Sequence, residues 1–144
     1  HISAPHPDGS GAIAAMRAAL AQRQLPPQQV GYINLHGTAT PQNDRMESIA
    51  VNAVFGADTP ASSTKRLTGH TLGAAGAIEA AICWLTLQQQ TLPLHRWDGD
   101  RDNDLQPIQL VTSEHASANG LRFAVSNSFA FGGNNISLLL ERFL

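Results

Sequence analysis

The amino-acid sequence predicts an α/β domain: a mixed sheet covered by helices and ending in an antiparallel hairpin. Three observations predict it. Apolar runs suited to buried strands alternate with stretches of helical periodicity, the pattern of a layered α/β chain. Two last apolar runs, at 121–127 and 135–142, are joined across Gly132-Gly133-Asn134-Asn135, a turn signature that closes a hairpin. The 144 residues are 42% hydrophobic and 14% charged, enough for a single domain, 1–144, with its own core.

The elements follow in order. The opening, His1-Ile2-Ser3-Ala4-Pro5-His6-Pro7-Asp8, has no initiator Met and reads as loop, so a piece of a longer protein is expected. Asp8 or Ser10 can cap a helix running to about Gln24, with Ile13, Met16 and Leu20 on one face and Pro26-Pro27 ending it. Residues 30–35 form the first strand. Asp44 and Glu47 have capping-box spacing for a second helix, with Met46, Ile49, Ala50, Ala53 and Val54 as its buried stripe and Gly56 as its stop. A brief strand ends near Ser63 or Thr64. The strongest helix spans about 72–89 and begins Gly73-Ala74-Ala75-Gly76-Ala77. Glycine costs up to about 1 kcal/mol inside a helix, so two of them predict a deeply buried helix start with another backbone close by. The polar stretch 91–107 is a surface connector, and 108–111 a short strand.

The composition excludes several functions. A net charge of −2 gives no field to draw nucleic acid or an anionic membrane. No apolar run reaches the length of a membrane span. The one cysteine, Cys83, allows no internal disulfide and predicts a reducing, cytoplasmic setting. Between Ile82 and Trp84 it reads as a small buried hydrophobe, not a nucleophile.

Three segments carry the candidate chemistry. The first, Leu35-His36-Gly37-Thr38-Ala39-Thr40-Pro41, lies where a strand ends, the place where open α/β sheets bind ligands. The second is Ser63-Thr64-Lys65-Arg66-Leu67-Thr68-Gly69-His70, and the third Asn127-Ser128-Phe129-Ala130-Phe131-Gly132-Gly133. His36 and His70 each read equally well as structural hydrogen bonders or as a pair. As a pair, each neutral imidazole donates Nε2–H to one carbonyl oxygen while backbone holds its other nitrogen. A metal site would need a third ligand. Asp44 and Glu47 are better explained as helix caps, and no H-x-x-x-H or H-E-x-x-H spacing occurs. Lys65 reads either as a surface lysine or as a desolvated cation tuning a histidine or carboxylate. Glu79 reads either as a surface residue or as a buried, hydrogen-bonded carboxylate. Phe131, before two glycines, can offer its backbone N–H as an oxyanion donor and its ring as a gate, whereas Phe129 reads as core.

These motifs, in this order and spacing from about residue 10 onward, resemble the C-terminal half of a β-ketoacyl-acyl-carrier-protein synthase of the elongating Cys-His-His type. The resemblance implies a thiolase-like fold of two similar α/β halves, of which this chain is the second, in a homodimer or a ketosynthase heterodimer. It implies that His36 and His70 hold the malonyl thioester carbonyl, that Lys65 supports His70, and that Glu79 orders the site around Lys65. The Phe131 N–H would be half of the acyl oxyanion hole and its ring the gate, on a loop supported by Gly132 and Gly133. Thr38 and Thr40 would bond the phosphopantetheine arm of acyl carrier protein, the partner that carries the substrates; no other cofactor is implied. Ala39 stands where serine is frequent, Ala130 where glycine is, and Asn134 where threonine is. The family's nucleophilic cysteine comes from the first half and nothing here matches its elbow, so this stretch alone is expected to be inactive. The alternative is a non-catalytic partner subunit of the chain-length-factor kind.

Overall fold

The computed structural model describes residues 5–112 and 118–143, with the backbone alone at Phe131. Five strands form one sheet in the order β3-β2-β1-β4-β5: β1 Val30–Asn34, β2 Pro60–Ser62, β3 Gln109–Leu110, β4 Phe123–Phe129 and β5 Asn135–Glu141. β1 runs parallel to β2 and to β4, and β2 parallel to β3. β5 returns antiparallel to β4 across the Phe131–Gly133 turn, the hairpin that its glycines predict. Gly132 and Gly133 take φ of 76° and 78°, a region costly for any residue with a Cβ.

Helices cover both faces. α1 (Ser10–Gln22) and α2 (Pro41–Phe55) bury Met16, Leu20, Met46 and Val51 against Ile33, Val125 and Phe129. α3 (Lys65–Thr68) is a single turn after β2, and α4 (Ala75–Gln89) packs Cys83 and Leu87 on the other face, against Tyr32 and Ala124. Side chains alternate strictly along β4, so Phe123, Val125 and Phe129 face α1 and α2, while Ala124, Ser126 and Ser128 face α4. A one-residue irregularity between Val30 and Tyr32 puts both on their respective cores, with Gly31 at the point where a Cβ would collide with Leu121.

Three local expectations change. α2 begins at Pro41, with Thr40 as its extended N-cap residue, so Asp44 lies inside the first turn and is not the cap. Pro at this position needs no N–H partner and pre-sets the helical φ. The stripe turns with it: Ala53 is exposed, and Glu47, Val51 and Phe55 are buried. The long helix opens with a 3₁₀ turn, Leu72–Ala74, and its glycine-rich start is not deeply buried. Gly73 faces open space, whereas only Gly76 makes the close approach, with its Cβ position 3.1 Å from Ser128 Oγ. α4 is apolar nearly all round, and Trp84 and Leu85 stand exposed on it, as do Ile136 and Leu138 on β5. Among the described residues no helix is long and apolar enough to cross a membrane.

Candidate active site

The site lies past the carboxyl end of β1, between the turn leaving β1 and the segment leaving β2. Leu35 N–H donates to Ser62 O at 2.9 Å, which sets the two exits side by side. Gly37 is pressed against this neighbour, for a Cβ there would collide with Ser63 Cβ and Oγ. The Ser63 hydroxyl donates to Gly37 O at 2.8 Å. Ala39, at φ 60°, completes a tight turn before α2.

Glu47 holds that turn from below. One carboxylate oxygen accepts the His36 N–H and the other the Gly37 N–H, each at 2.8 Å. The capping-box spacing with Asp44 therefore has another cause: Glu47 turns inward from α2 to two amides 11 and 10 residues earlier. Burial pushes its carboxyl up to about 7, against the pull of those two N–H bonds. The sequence signal for this role is a carboxylate beside Met46 at the buried phase of an otherwise amphipathic helix.

The same turn presents His36, which is buried. Its ring meets His70 edge-on, with centroids 5.7 Å apart and planes at 85°, and meets Phe129 at 5.9 Å. Phe129 thus belongs to the core and also forms a wall of the site. Burial, then the Lys65 and His70 charges, holds the His36 imidazole down at about 4, so it is neutral at ordinary pH. Its Nδ1 is buried without a hydrogen-bond partner among the described residues, so none of their backbone groups holds it as expected. His70 is exposed, and its Nδ1 accepts the Leu72 N–H at 3.4 Å, which assigns the ring proton to Nε2.

Lys65 is buried, which settles its two readings. Its ammonium donates to His36 O at 2.5 Å and pairs with the Glu79 carboxylate, brought in from the first turns of α4. Burial raises the Glu79 pKa, and the Lys65 ammonium opposes that rise. His36, Lys65 and Glu79 thus form one chain of contacts with His70 at its mouth. Thr38 and Thr40 lie at the rim, their hydroxyls 3.1 Å apart. The backbone at Phe131 starts the hairpin turn, where the Ala130 N–H donates to Asn134 O at 2.9 Å. The Phe131 ring lies outside the described residues.

Beneath the site, on the α4 side of the sheet, Tyr32, Asn34, Ser62 and Thr64 share hydrogen bonds of 2.7 to 3.4 Å. Asn34 Oδ1, Glu79 Oε2 and Ser126 Oγ are buried there without a partner among the described residues. Hard oxygens of this kind suit water or a small cation. Cys83 sits against them, its thiol pushed up to about 12 by burial, so it is no nucleophile. No group of three or more His, Cys, Asp or Glu occurs among the described residues that could hold a metal ion.

Past the ends of its strands, a mostly parallel sheet with one antiparallel edge thus carries two histidines in edge-on contact and a buried Lys–Glu pair. The family described as beta-ketoacyl synthase, C-terminal domain, matches residues 1–96, and the chain belongs to that family. The mitochondrial 3-oxoacyl-[acyl-carrier-protein] synthase of Arabidopsis thaliana is 42% identical over 146 residues, covering 96% of this chain and 31% of that protein. A ketosynthase solved in complex with its chain length factor from Xenorhabdus doucetiae is 52% identical with a TM-score of 0.93, covering 99% of this chain and 36% of that one. A beta-ketoacyl synthase from Burkholderia phymatum is 34% identical with a TM-score of 0.93, covering all of this chain and 35% of that one. The fold is therefore the thiolase-like fold of ketosynthases, and the chain spans about a third of the length of these relatives.

Proposed function

We propose that residues 1–144 are the C-terminal domain of a 3-oxoacyl-[acyl-carrier-protein] synthase. The parent would catalyse decarboxylative Claisen condensation in fatty-acid or polyketide synthesis. The observation that carries this reading is the edge-on meeting of His36 and His70 above the Lys65–Glu79 pair. Neutral imidazoles can donate Nε2–H to one malonyl thioester carbonyl oxygen. The bond between Cα and the carboxylate breaks, carbon dioxide leaves, and the electron pair stays as an enolate whose oxygen the two donors stabilise. The enolate Cα then attacks the acyl thioester held on the cysteine of the first half. The new carbon–carbon bond forms and the cysteine thiolate departs, with the Phe131 N–H donating to the transient oxyanion. The Phe131 ring gates the acyl pocket on its Gly132-Gly133 loop. Lys65 and Glu79 hold His36 and the local charge in place, and Thr38 and Thr40 bond the phosphopantetheine arm.

The reading needs no dissociable cofactor, since acyl carrier protein brings both substrates. The exposed Trp84, Leu85, Ile136 and Leu138 support an amino-terminal half seated over α4 and β5. On this reading the parent is a cytoplasmic homodimer or ketosynthase heterodimer, and the chain alone is inactive because the nucleophile lies outside it. The test is release of carbon dioxide from malonyl-acyl carrier protein by the full-length parent. His36→Ala and His70→Ala are expected to lower it by at least about a hundredfold each, with acylation of the cysteine retained. Unchanged release in both would sink the reading and favour a chain-length-factor-type subunit.

A further inference from the structure

His95 lies in the connector after α4, far in sequence from both exits of the site, yet it is built into their junction. Its main chain is fixed to the sheet edge: His95 N–H donates to Val111 O at 2.6 Å, and Val111 N–H donates to Ala61 O on β2 at 3.0 Å. From that anchor the ring reaches the segment leaving β2, where Nδ1 accepts the Ser63 N–H at 3.0 Å. Ser63 is the residue whose hydroxyl donates to Gly37 O at 2.8 Å and accepts the Lys65 N–H at 3.4 Å. Lys65 in turn reaches the carbonyl of His36. An unbroken series of hydrogen bonds thus runs from His95 through Ser63 to both the His36–Gly37 turn and Lys65.

We propose that His95 is a positioning residue for the Lys65–His36 pair: its Nδ1 clamps Ser63, which holds the two exits in register. The inference rests on the condensing-enzyme reading and adds to it a group that touches no reacting atom. The clamp needs an imidazole whose Nδ1 lone pair is free. Burial keeps this histidine below its usual range, against the opposing charge of Asp44. A lost clamp leaves a buried N–H without an acceptor and lets the lysine segment drift, and misplacement by about 1 Å costs on the order of a hundredfold in rate.

The experiment compares His95→Asn, His95→Gln and His95→Ala in the full-length parent, with malonyl-acyl carrier protein as the probe. Asn places its amide oxygen where Nδ1 stood; Gln carries it one bond too far. His95→Ala and His95→Gln are expected to lose about tenfold or more in kcat for carbon dioxide release, with KM moving less. His95→Asn is expected to recover most of that loss. Deuterium exchange at the peptide holding Ser63 should quicken in the Ala and Gln variants and return in Asn. Retained kcat in His95→Ala, or an Asn variant no better than Gln, overturns the proposal. A parent in which His36→Ala keeps full release sinks the underlying reading; loss in His36→Ala beside full release in His95→Ala overturns the clamp alone.

Discussion

The sheet carries a charged network at each end, and the two are built on opposite physics. Past the carboxyl end of β1, Lys65 and Glu79 pair in a nearly dry setting, with side chains 6% and 2% exposed. At the other end, beside the start of β4, Glu141 accepts from Arg23 and Arg122, whose side chains are 57% and 53% exposed. A buried pair costs more to desolvate than its attraction returns unless further groups complete it. Among the described residues such a pair occurs only at this end, beside His36. The solvated network needs no such explanation, since water carries part of its charge.

Breaking the buried network should have the largest effect. Lys65→Ala strands the Glu79 carboxylate and removes the donor from His36 O, and loss of one partner of a buried pair costs about 3–5 kcal/mol. Lys65→Met with Glu79→Leu should recover much of that stability, because an apolar pair of similar volume avoids the desolvation cost. Urea unfolding of the two variants checks the stability, and carbon dioxide release by the parent checks the function. If Lys65→Ala and the double variant prove equally unstable, the pair is not the desolvated unit described above. Recovered stability without recovered release would show that the ion pair is kept for chemistry.

A second pair of buried groups sharpens the same contrast through pH. Glu47 sits with its carboxyl raised to about 7 from an ordinary 4.5. Its titration therefore adds stability below pH 4.5 that is lost as the pH rises through 7. His36 is held at about 4 against an ordinary 6.5. Its contribution is present above pH 6.5 and is lost as the pH falls through 4. Between 4.5 and 6.5 the two slopes oppose, and each shift corresponds to roughly 3 kcal/mol in full. Unfolding free energies measured across that window should rise with pH in Glu47→Gln, fall with pH in His36→Gln, and stay flatter in wild type. At fixed pH, Glu47→Gln should also cost about 1–3 kcal/mol, because its amide can accept only one of the two N–H groups well. Parallel slopes in all three proteins would show that the turn is not under this electrostatic load.

Much of this was legible because it is local. The apolar strand runs, the helical stripe around Met16 and Leu20, and the glycines at 132 and 133 each follow from nearby residues. The grouping of His36 with His70 is not local: the residues left it open, the family resemblance implied it, and the structure brings the two rings together. What was not legible is long-range. Glu47 and Asp44 look like a capping box in sequence, yet Glu47 bonds amides on the preceding turn, because Pro41 starts the helix four residues early. Lys65 betrays its burial only when Glu79 arrives from α4. His95 has no local signal at all, since its partner is 32 residues away across the connector. Gly73 and Gly76, at the start of the long helix, mislead for the same reason: Gly76 meets Ser128, but Gly73 meets nothing among the described residues.

The solvated end should give the smallest effect, and it supplies the control for the buried one. Arg122 also lies over the Phe123 ring at 5.1 Å, so its removal takes away a contact as well as a charge. Even so, Glu141 keeps Arg23 at 3.1 Å, and both guanidinium groups face water. Arg122→Ala should therefore shift the unfolding midpoint only slightly, and the shift should shrink as salt rises from low to molar concentration, where screening acts within about 3 Å. Lys65→Ala should keep its full loss over the same range, because salt does not reach a pair that water does not reach. A salt-insensitive loss at Arg122 would place that network among the buried ones and remove the asymmetry between the two ends of the sheet.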